Sequence, residues 1–304
     1  MKSPALVIVG SIGIDHIETP TVKKTNLLGG SVSYACAAAS FFTSPGMVGV
    51  VGDDFPESFL DLYRTFDVDM EGLRHATGRT FSWTGVYEEN MDNRQTVETV
   101  LGVFEQFEPT LPEGYQSAPF VLLGNMDPGL QLHVLNQITS PKFVMADTMD
   151  LWINITRDEL LEVVGKVNML TLNESEARLL TDSQHLMDAA GKLLAMGPEY
   201  VLIKKGEHGS MLFGKNGVYI QPAFPLPVVN DPTGAGDTFA GALMGCLTKA
   251  CACGEADIRR AMLHGTVVAS FGVEAFSLDG LIGLEAADIT RRVQSLLEMM
   301  RVEV

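Results

Sequence analysis

Positive charge is scarce in this sequence. It has 21 Lys and Arg residues against 38 Asp and Glu residues, and a formal net charge of -17 at pH 7. Such a surface repels a nucleic-acid backbone, because binding to one depends on clustered Lys and Arg side chains. We therefore exclude long nucleic acids as partners. A single nucleotide is not excluded, since a few backbone N–H groups can bind its phosphates locally.

Cysteine is scarce too, and a long apolar run is missing. The four cysteines are Cys36, Cys246, Cys251 and Cys253. A chain of 304 residues needs no disulfides, and Cys251-x-Cys253 has no second pair at zinc-binding spacing. We expect reduced thiols and a cytoplasmic protein.

The apolar stretch 5–14 has about half the length of a bilayer span and ends at Asp15, so we predict a buried strand and no membrane partner.

Apolar runs of strand length alternate with helical patterns through most of the chain. This alternation predicts a parallel sheet covered by helices. No Pro-, Gly- or Ser-rich linker divides the chain, so we expect one domain over residues 1–304. The predicted strands are 6–9, 47–51, 120–123, 143–146, 169–172 and 201–203. The predicted helices are 31–42, 56–66, 128–137, 157–164, 187–196, 236–248, 255–270 and 284–300.

One region, residues 79–107, departs from this alternation. It carries β-branched and aromatic residues on both sides of a polar turn at 88–93, a pattern typical of a β-hairpin. Together with residues 15–28 it is predicted to form a small β-sheet lid over the mouth of the main sheet. The exposed edge of the hairpin favours a homodimer that pairs through the lids.

The segment 230–241 carries the strongest chemical signal. It reads Asn-Asp-Pro-Thr-Gly-Ala-Gly-Asp-Thr-Phe-Ala-Gly and leads into a long apolar helix. A glycine turn that opens a helix offers backbone N–H groups at the positive end of the helix dipole, where an anion such as a phosphoryl group is stabilised. Asp237 would lie in the first helical turn, able to accept a proton from an attacking hydroxyl group. The alternative is a carboxylate that interacts only with the helix dipole.

Two other phosphate-binding motifs do not fit. The Walker motif needs Gly-Lys-Ser/Thr after a glycine loop, and the segment 230–241 has no Lys. The dinucleotide motif GxGxxG should follow the first strand, where the sequence reads Gly10-Ser11-Ile12-Gly13.

Residues 231–239 resemble the C-terminal signature of the ribokinase-like (PfkB-type) kinases almost letter for letter. Gly29-Gly30 is similar to the first signature of that family, and Asn173-x-x-Glu176 matches its Asn-x-x-Glu motif. Residues 205–209 (Lys-Gly-Glu-His-Gly) resemble its nucleotide loop. The resemblance implies an α/β fold with a doubly wound, mostly parallel sheet flanked by helices and a small β-sheet lid. It implies ATP-dependent phosphorylation of a hydroxymethyl group of a sugar or nucleoside, with Mg2+.

The resemblance also implies roles for single residues on the donor side. Asp237 is the base, and Gly234, Ala235 and Gly236 form the anion hole. Glu176, with Asn173, orders Mg2+ through its waters, although Asn-x-x-Glu is also an ordinary capped helix start. The remaining residues implied on this side are Lys205, Gly206, Gly209 and Thr233 for the nucleotide, His264 beside adenine, and Asp231 for a monovalent cation such as K+. His264 is otherwise a packed helix residue, and Asp231 before Pro232 is otherwise a turn former.

The acceptor is expected at the carboxyl edge of the sheet, where open α/β sheets bind ligands. Asp15 would bind two hydroxyl groups, and Gly29 and Gly30 would let the ligand approach the backbone. Asn125 is a further candidate, on position alone. Asp15 is otherwise a solvated loop carboxylate, and the glycines otherwise serve tight helix packing.

The acceptor side departs from the sugar-kinase pattern. Many relatives carry Asn where Tyr34 stands, and ribokinases usually carry Asn where Gly13 stands. Tyr34 suits a ring-bearing substituent better than a fully hydroxylated sugar, so ribose becomes a doubtful substrate. The predicted lid adds aromatic and basic side chains that would stack on a base or bind an anionic group, namely Phe81, Trp83, Tyr87 and Arg94.

Two alternatives stay open at this point. A phosphosugar kinase would need further basic residues in the pocket, and only Arg79 and Arg94 suggest themselves. A catalytically silent ligand-binding protein would keep the fold without the reaction, but the intact Asp237 argues against it.

Overall fold

The structure is a computed structural model that describes residues 3–89, 91 and 94–302. Of the predicted hairpin turn, Asn90, Asp92 and Asn93 lie outside the described residues. The strands are β1 (Leu6–Val9), β2 (Gly13–Glu18), β3 (Lys23–Gly29), β4 (Gly46–Val51), β5 (Asp69–His75), β6 (Phe81–Tyr87), β7 (Arg94–Val100), β8 (Phe120–Leu123), β9 (Phe143–Asp147), β10 (Met169–Asn173), β11 (Tyr200–Lys204), β12 (Ser210–Gly214) and β13 (Gly217–Gln221).

The helices cover both faces of a large sheet. They are α1 (Ser31–Ala39), α2 (Glu57–Thr65), α3 (Pro128–Leu135), α4 (Asp150–Ile155), α5 (Arg157–Val164), α6 (Glu174–Thr181), α7 (Leu186–Ala195), α8 (Ala235–Ala250), α9 (Glu255–Gly272) and α10 (Ala286–Met299). Within the described residues, no helix is both long and apolar enough to cross a membrane.

The large sheet has nine strands in the order β13-β12-β11-β10-β9-β8-β1-β4-β5. Neighbours from β11 through β5 pair in parallel, and β12 and β13 form an antiparallel edge. Successive β1 side chains enter different cores: Leu6 and Ile8 pack with α1, α8 and α9, whereas Val7 and Val9 pack with α3 and α5. Because both faces are covered, the central strands are apolar throughout, as predicted. The predicted α/β fold is confirmed.

A separate four-stranded sheet has the order β3-β2-β6-β7 and is called the small sheet below. It is built from the two segments that the sequence predicted for it. β2 and β6 pair in parallel, so Asp15 lies beside Trp83 on one face of the small sheet. This sheet starts directly after β1, at the carboxyl edge of the large sheet.

Several elements do not follow from the apolar pattern. β5 reads Asp-Met-Glu-Gly-Leu-Arg-His, and most of it is partly or fully exposed at the sheet edge. β12, β13 and α4 were likewise not predicted, and of α6 only the start was predicted, as the capped-helix alternative for Asn173-x-x-Glu176. The predicted helices 31–42 and 128–137 end earlier, at Ala39 and Leu135.

Candidate active site

The turn before α8 has the backbone geometry that the motif predicts. Gly234 has φ 73°, in the left-handed region that glycine adopts without strain. A Cβ on Gly234 would lie 2.4 Å from the Tyr34 ring, so the turn also packs closely on that ring. The Ala235 amide donates to the Pro232 carbonyl (3.1 Å). Because the Ala235 amide is already used, the amides of Gly234 and Gly236 are the ones that remain as candidates for the predicted anion hole.

Asp237 lies half-buried in the first turn of α8. Burial raises the pKa of Asp237 to about 7; the charge of Asp147 adds to the increase, and Lys204 and Arg94 act against it. A carboxyl group with a pKa near neutrality is suited to accept a proton from an alcohol and release it again.

A cavity of about 590 Å3 opens beside this turn. Gly206 and Gly209 line it, and so do Lys204 and Gly236. Gly209 has φ +88°, and a Cβ there would lie 2.0 Å from the Gln221 carbonyl oxygen, so this loop position requires glycine. The remaining wall is largely apolar, with Phe224, Leu226, Val228 and Val273 among its residues. This combination suits a flat ring with a phosphate tail.

His264, Lys205 and Thr233 were expected at the nucleotide but do not line this cavity. His264 is not among the residues lining this cavity; its Nδ1 contacts the Arg260 carbonyl at 2.9 Å, and its ring packs edge-on against Phe42. Its surroundings match the packed helix residue of the alternative interpretation. Lys205 is held 3.5 Å from Glu174 and also lies outside the lining.

Asn173 and Glu176 form a reciprocal cap at the start of α6. The Asn173 side chain accepts the Glu176 N–H (2.8 Å), and the Glu176 carboxylate accepts the Asn173 N–H (2.7 Å). Glu176 is buried, and burial raises its pKa to about 7, with Lys204 lowering and Asp147 raising it. The capped-helix interpretation thus describes the local structure, and it fixes one carboxylate near Lys204.

The predicted acceptor residues Asp15 and Tyr34 are both buried, and each has an oxygen that forms no hydrogen bond within the described part of the chain. Asp15 is 4% exposed, its Oδ1 accepts no hydrogen bond, and burial together with the charges of Asp231 and Asp237 raises its pKa to about 7. The Tyr34 hydroxyl is also unpaired. A Cβ on Gly29 would lie 2.0 Å from Asp15 Oδ2, so this carboxylate needs the glycine beside it. A buried oxygen without a hydrogen-bond partner destabilises the folded protein, unless a bound ligand donates a hydrogen bond to it.

Two other predicted acceptor residues, Gly30 and Asn125, make contacts within the protein. Gly30, at φ +91°, is the N-cap of α1, where a Cβ would lie 2.4 Å from the Ser11 carbonyl oxygen. Asn125 donates to Met149 Sδ (3.1 Å) and accepts from Trp152 Nε1 (2.8 Å). Its amide is therefore already held by two neighbours.

The small sheet contributes aromatic and basic side chains. The Arg94 guanidinium lies 5.6 Å from the centre of the Trp83 ring, a cation–π contact. Tyr87 bonds Thr233 through their hydroxyls (2.9 Å), which ties the small sheet to the turn before α8. Phe81 lies where a side chain at position 13 would go: a Cβ on Gly13 would be 2.7 Å from its ring.

Asp231 is buried below the turn. Its Oδ1 accepts the Thr233 N–H (2.9 Å) and its Oδ2 accepts the Ser277 N–H (3.4 Å). Both carboxylate oxygens are used by the backbone, as expected of a turn former. Across the described part of the chain, no cluster of three or more His, Cys, Asp or Glu is arranged to hold a metal ion.

Sequence reasoning missed Asp147 and Lys204. Lys204 Nζ lies 2.7 Å from Asp147 Oδ2, and both side chains are largely buried. The sequence did contain a clue to both residues: each is a charged residue at the carboxyl end of an apolar strand, and ligands bind at that edge of the sheet.

Comparison with known proteins agrees with this geometry. The pfkB family of carbohydrate kinases matches residues 6–280. The cytidine kinase of Thermococcus kodakarensis is 30% identical over 247 residues, which cover 79% of this chain and 87% of that protein. The nucleoside kinase of Methanocaldococcus jannaschii is 22% identical over 260 residues, 85% of this chain and 82% of that protein.

A solved structure shows the same fold. The ribokinase of Arabidopsis thaliana, complexed with ribose and ATP, superposes with a TM-score of 0.77 at 20% identity and covers 96% of this chain and 99% of that one. The sequence match over most of the chain is decisive: this protein belongs to the pfkB family of carbohydrate kinases.

Proposed function

We propose that this protein is an ATP-dependent nucleoside kinase that phosphorylates a hydroxymethyl group of its acceptor. The observation that carries the proposal is the position of Asp237 in the first turn of α8: it follows Gly236, which lines a cavity suited to a nucleotide, and its charge acts on the buried carboxyl group of Asp15. Base, anion-binding turn and acceptor carboxylate are then contributed by one small region.

The proposed reaction is an in-line transfer. Asp237 takes the proton of the acceptor hydroxyl, the hydroxyl oxygen forms a bond to the γ-phosphorus, and the bond from that phosphorus to the β-phosphate oxygen breaks to release ADP. The amides of Gly234 and Gly236 stabilise the charge on the phosphoryl oxygens as it develops.

Magnesium fits this site through the buried carboxylate of Glu176. One carboxylate with several waters is a donor set that Mg2+ accepts, and the ion would neutralise charge on the phosphates. We leave a monovalent cation out of the proposal, because both Asp231 oxygens are engaged by backbone N–H groups.

The acceptor side favours a nucleoside over a free sugar. Asp15 offers a carboxylate for two ribose hydroxyls, and the half-buried Trp83 offers a ring for a base. The Tyr34 ring, by contrast, is buried against the turn at Gly234 and offers only its hydroxyl. Phe81 occupies the space that a polar side chain at position 13 would need. Two relatives that match most of this chain are named as a cytidine kinase and a nucleoside kinase, whereas a fructokinase matches 30% of it.

A panel of acceptors tests the proposal. Product formation from ATP would be measured with cytidine, the other common nucleosides, ribose and fructose. We expect the highest kcat/KM with a nucleoside. A higher kcat/KM for ribose or fructose would make the protein a sugar kinase. Binding of acceptors without any turnover would favour the ligand-binding alternative.

We further propose that the small sheet acts as a lid. Closure over the acceptor would exclude water, which would otherwise compete for the γ-phosphoryl group. The Tyr87–Thr233 hydrogen bond supports this role, because it ties the small sheet to the turn that precedes the base.

A further inference from the structure

Three neighbouring parallel strands end in polar residues beside the start of α8. β9 ends at Asp147, β10 at Asn173 and β11 at Lys204. The register sets Asn173 beside Lys204 and Thr171 beside Asp147, so the strand ends share one edge. A charged lysine at the end of the buried strand Tyr-Val-Leu-Ile needs a physical reason, since burying an ammonium is costly.

Asp147 holds the Lys204 ammonium in place. Its Oδ2 lies 2.7 Å from Lys204 Nζ, and its Oδ1 accepts the Thr148 N–H at 2.9 Å. The Asp147 carbonyl accepts from Gln131 Nε2 at 2.9 Å. Asp147 is thus fixed from three sides. Its side chain is 6% exposed.

The ammonium points to the anion-binding turn. Lys204 Nζ lies 3.1 Å from the place where a Cβ on Gly236 would be, and both residues line the cavity of about 590 Å3. An ammonium has three N–H donors, and Asp147 is the acceptor that the described residues provide for it. The remaining donors are therefore available to a ligand in the cavity.

The surrounding charge keeps Lys204 protonated. Burial lowers the pKa of Lys204, but the charges of Asp147, Glu176 and Asp237 outweigh burial and raise it overall. These carboxylates would repel an incoming phosphate. A fixed ammonium among them offsets that repulsion where the phosphate must lie.

We propose that Lys204 is a further catalytic residue, whose ammonium binds an oxygen of the γ-phosphoryl group of ATP while Asp147 positions it. The proposal rests on the proposed kinase function. Lys204 keeps its proton throughout, so the bonds that form and break are those of the phosphoryl transfer alone. Together with the amides of Gly234 and Gly236 it completes the set of donors around the transferring group.

The competing explanation is a structural ion pair. Removing one partner of a buried pair is destabilising because it leaves an unpaired charge, whereas removing both is often tolerated. The double variant Lys204→Met/Asp147→Asn therefore separates the two explanations. Its folded state carries neither charge, so its stability is expected to exceed that of Lys204→Met alone.

The test measures nucleotide affinity by calorimetry, thermal unfolding and kcat. We expect Lys204→Met to weaken binding of ATP about tenfold or more relative to ADP, and to lower kcat by about 100-fold to 1000-fold. The double variant should regain Tm but neither the preference for ATP nor kcat. Recovery of kcat in the double variant would overturn the proposal, as would equal losses of affinity for ATP and ADP in Lys204→Met.

Lys166→Met is the matched control. Lys166 forms an exposed ion pair with Glu162 on α5 and enters none of the site contacts, so its variant should keep wild-type nucleotide affinity and kcat. The comparison of ATP and ADP affinity needs no acceptor, so it tests Lys204 even if the wild type phosphorylates no nucleoside and the proposed function fails. If the wild type does not prefer ATP over ADP, the Lys204 proposal fails.

Discussion

Asp15, Glu176 and Asp237 have pKa values raised to about 7, mainly by burial. In the unfolded chain the same groups ionise near their ordinary pKa values of 3.8 for Asp and 4.5 for Glu. At pH values between the pKa of the unfolded chain and the raised pKa of the folded protein, these groups bind more protons in the folded protein than in the unfolded chain. The contribution of these groups to stability is therefore greatest at low pH and is lost as the pH rises towards about 7.

Asp15→Asn tests this pH dependence. Asn has a similar shape and no charge, so the variant should gain stability relative to the wild type as the pH rises from about 5 to about 8, by a few kcal/mol at most. Urea unfolding at several pH values measures the difference. The exposed Glu113→Gln should show a constant difference from the wild type. A constant difference for Asp15→Asn would contradict the assigned pKa.

The sequence alone points to a candidate site residue where that residue follows a recognisable turn or strand end. Asp237 follows a glycine turn, and Asp15 follows the first apolar strand. Lys204 and Asp147 carry no such mark, because each looks like the polar end of an ordinary strand. Only the parallel register of β9, β10 and β11 places them together.

At the scale of elements, the turn into α8 is the one that the function requires most. Gly234 is left-handed and packs against the Tyr34 ring, so both its φ angle and the close contact exclude a side chain. The anion-binding turn and the acceptor-side aromatic residue are therefore built as one unit.

Gly234→Ala should lower both stability and activity. The left-handed angle costs an alanine about 1 kcal/mol or more, before the contact with Tyr34 is counted. Gly191→Ala is the matched control: Gly191 lies inside α7 with open space around its Cβ position, so this variant should gain about 1 kcal/mol. Thermal unfolding and kcat measure both. An unchanged Tm and kcat in Gly234→Ala would contradict the described turn.

The predictability of elements follows their burial. Strands covered on both faces, such as β1 and β8, are continuous apolar runs and were predicted to the residue. β5 and β13 are the edge strands of the large sheet, where polar residues are tolerated on the unpaired side, and both are largely exposed or half-buried, so their apolar pattern is weak. The short α4 and α6 begin directly after strands and depend on the tertiary structure rather than on a long amphipathic repeat.

At the scale of the whole molecule, hydrogen bonds join the small sheet to the rest of the protein at Tyr87 and at Leu28. Tyr87 is buried, and its hydroxyl reaches Thr233 beside the anion-binding turn. The proposed closure of the small sheet would thereby act directly on the turn that precedes Asp237.

Tyr87→Phe should uncouple phosphoryl transfer from ATP hydrolysis. Losing the hydroxyl loosens the small sheet, admits water and raises the ratio of ATP hydrolysed to acceptor phosphorylated. Parallel assays of ADP and phosphorylated product measure that ratio. The control is Tyr115→Phe, whose hydroxyl donates to the Asp69 carbonyl (3.0 Å) at the start of β5, the end of that strand opposite to the carboxyl edge. Equal ratios in wild type and Tyr87→Phe would argue against a lid role.

The outer strand of the small sheet, β7, is the surface through which we expect two copies to pair. Val97 on this strand is 64% exposed. Val97→Lys places a charge on an edge strand and should shift a dimer towards monomer. Sedimentation velocity measures the shift, with Val218→Lys on the other sheet's edge strand β13 as control. A monomeric wild type would refute the pairing.

The central claim is that Asp237 removes the proton of the acceptor hydroxyl while the turn before it binds the phosphoryl group. The most direct measurement is single-turnover transfer of labelled γ-phosphate from ATP to cytidine by the wild type and by Asp237→Asn. We predict that the variant binds both substrates with similar affinity and transfers the label about 100-fold to 10000-fold more slowly. Equal transfer rates would contradict the account.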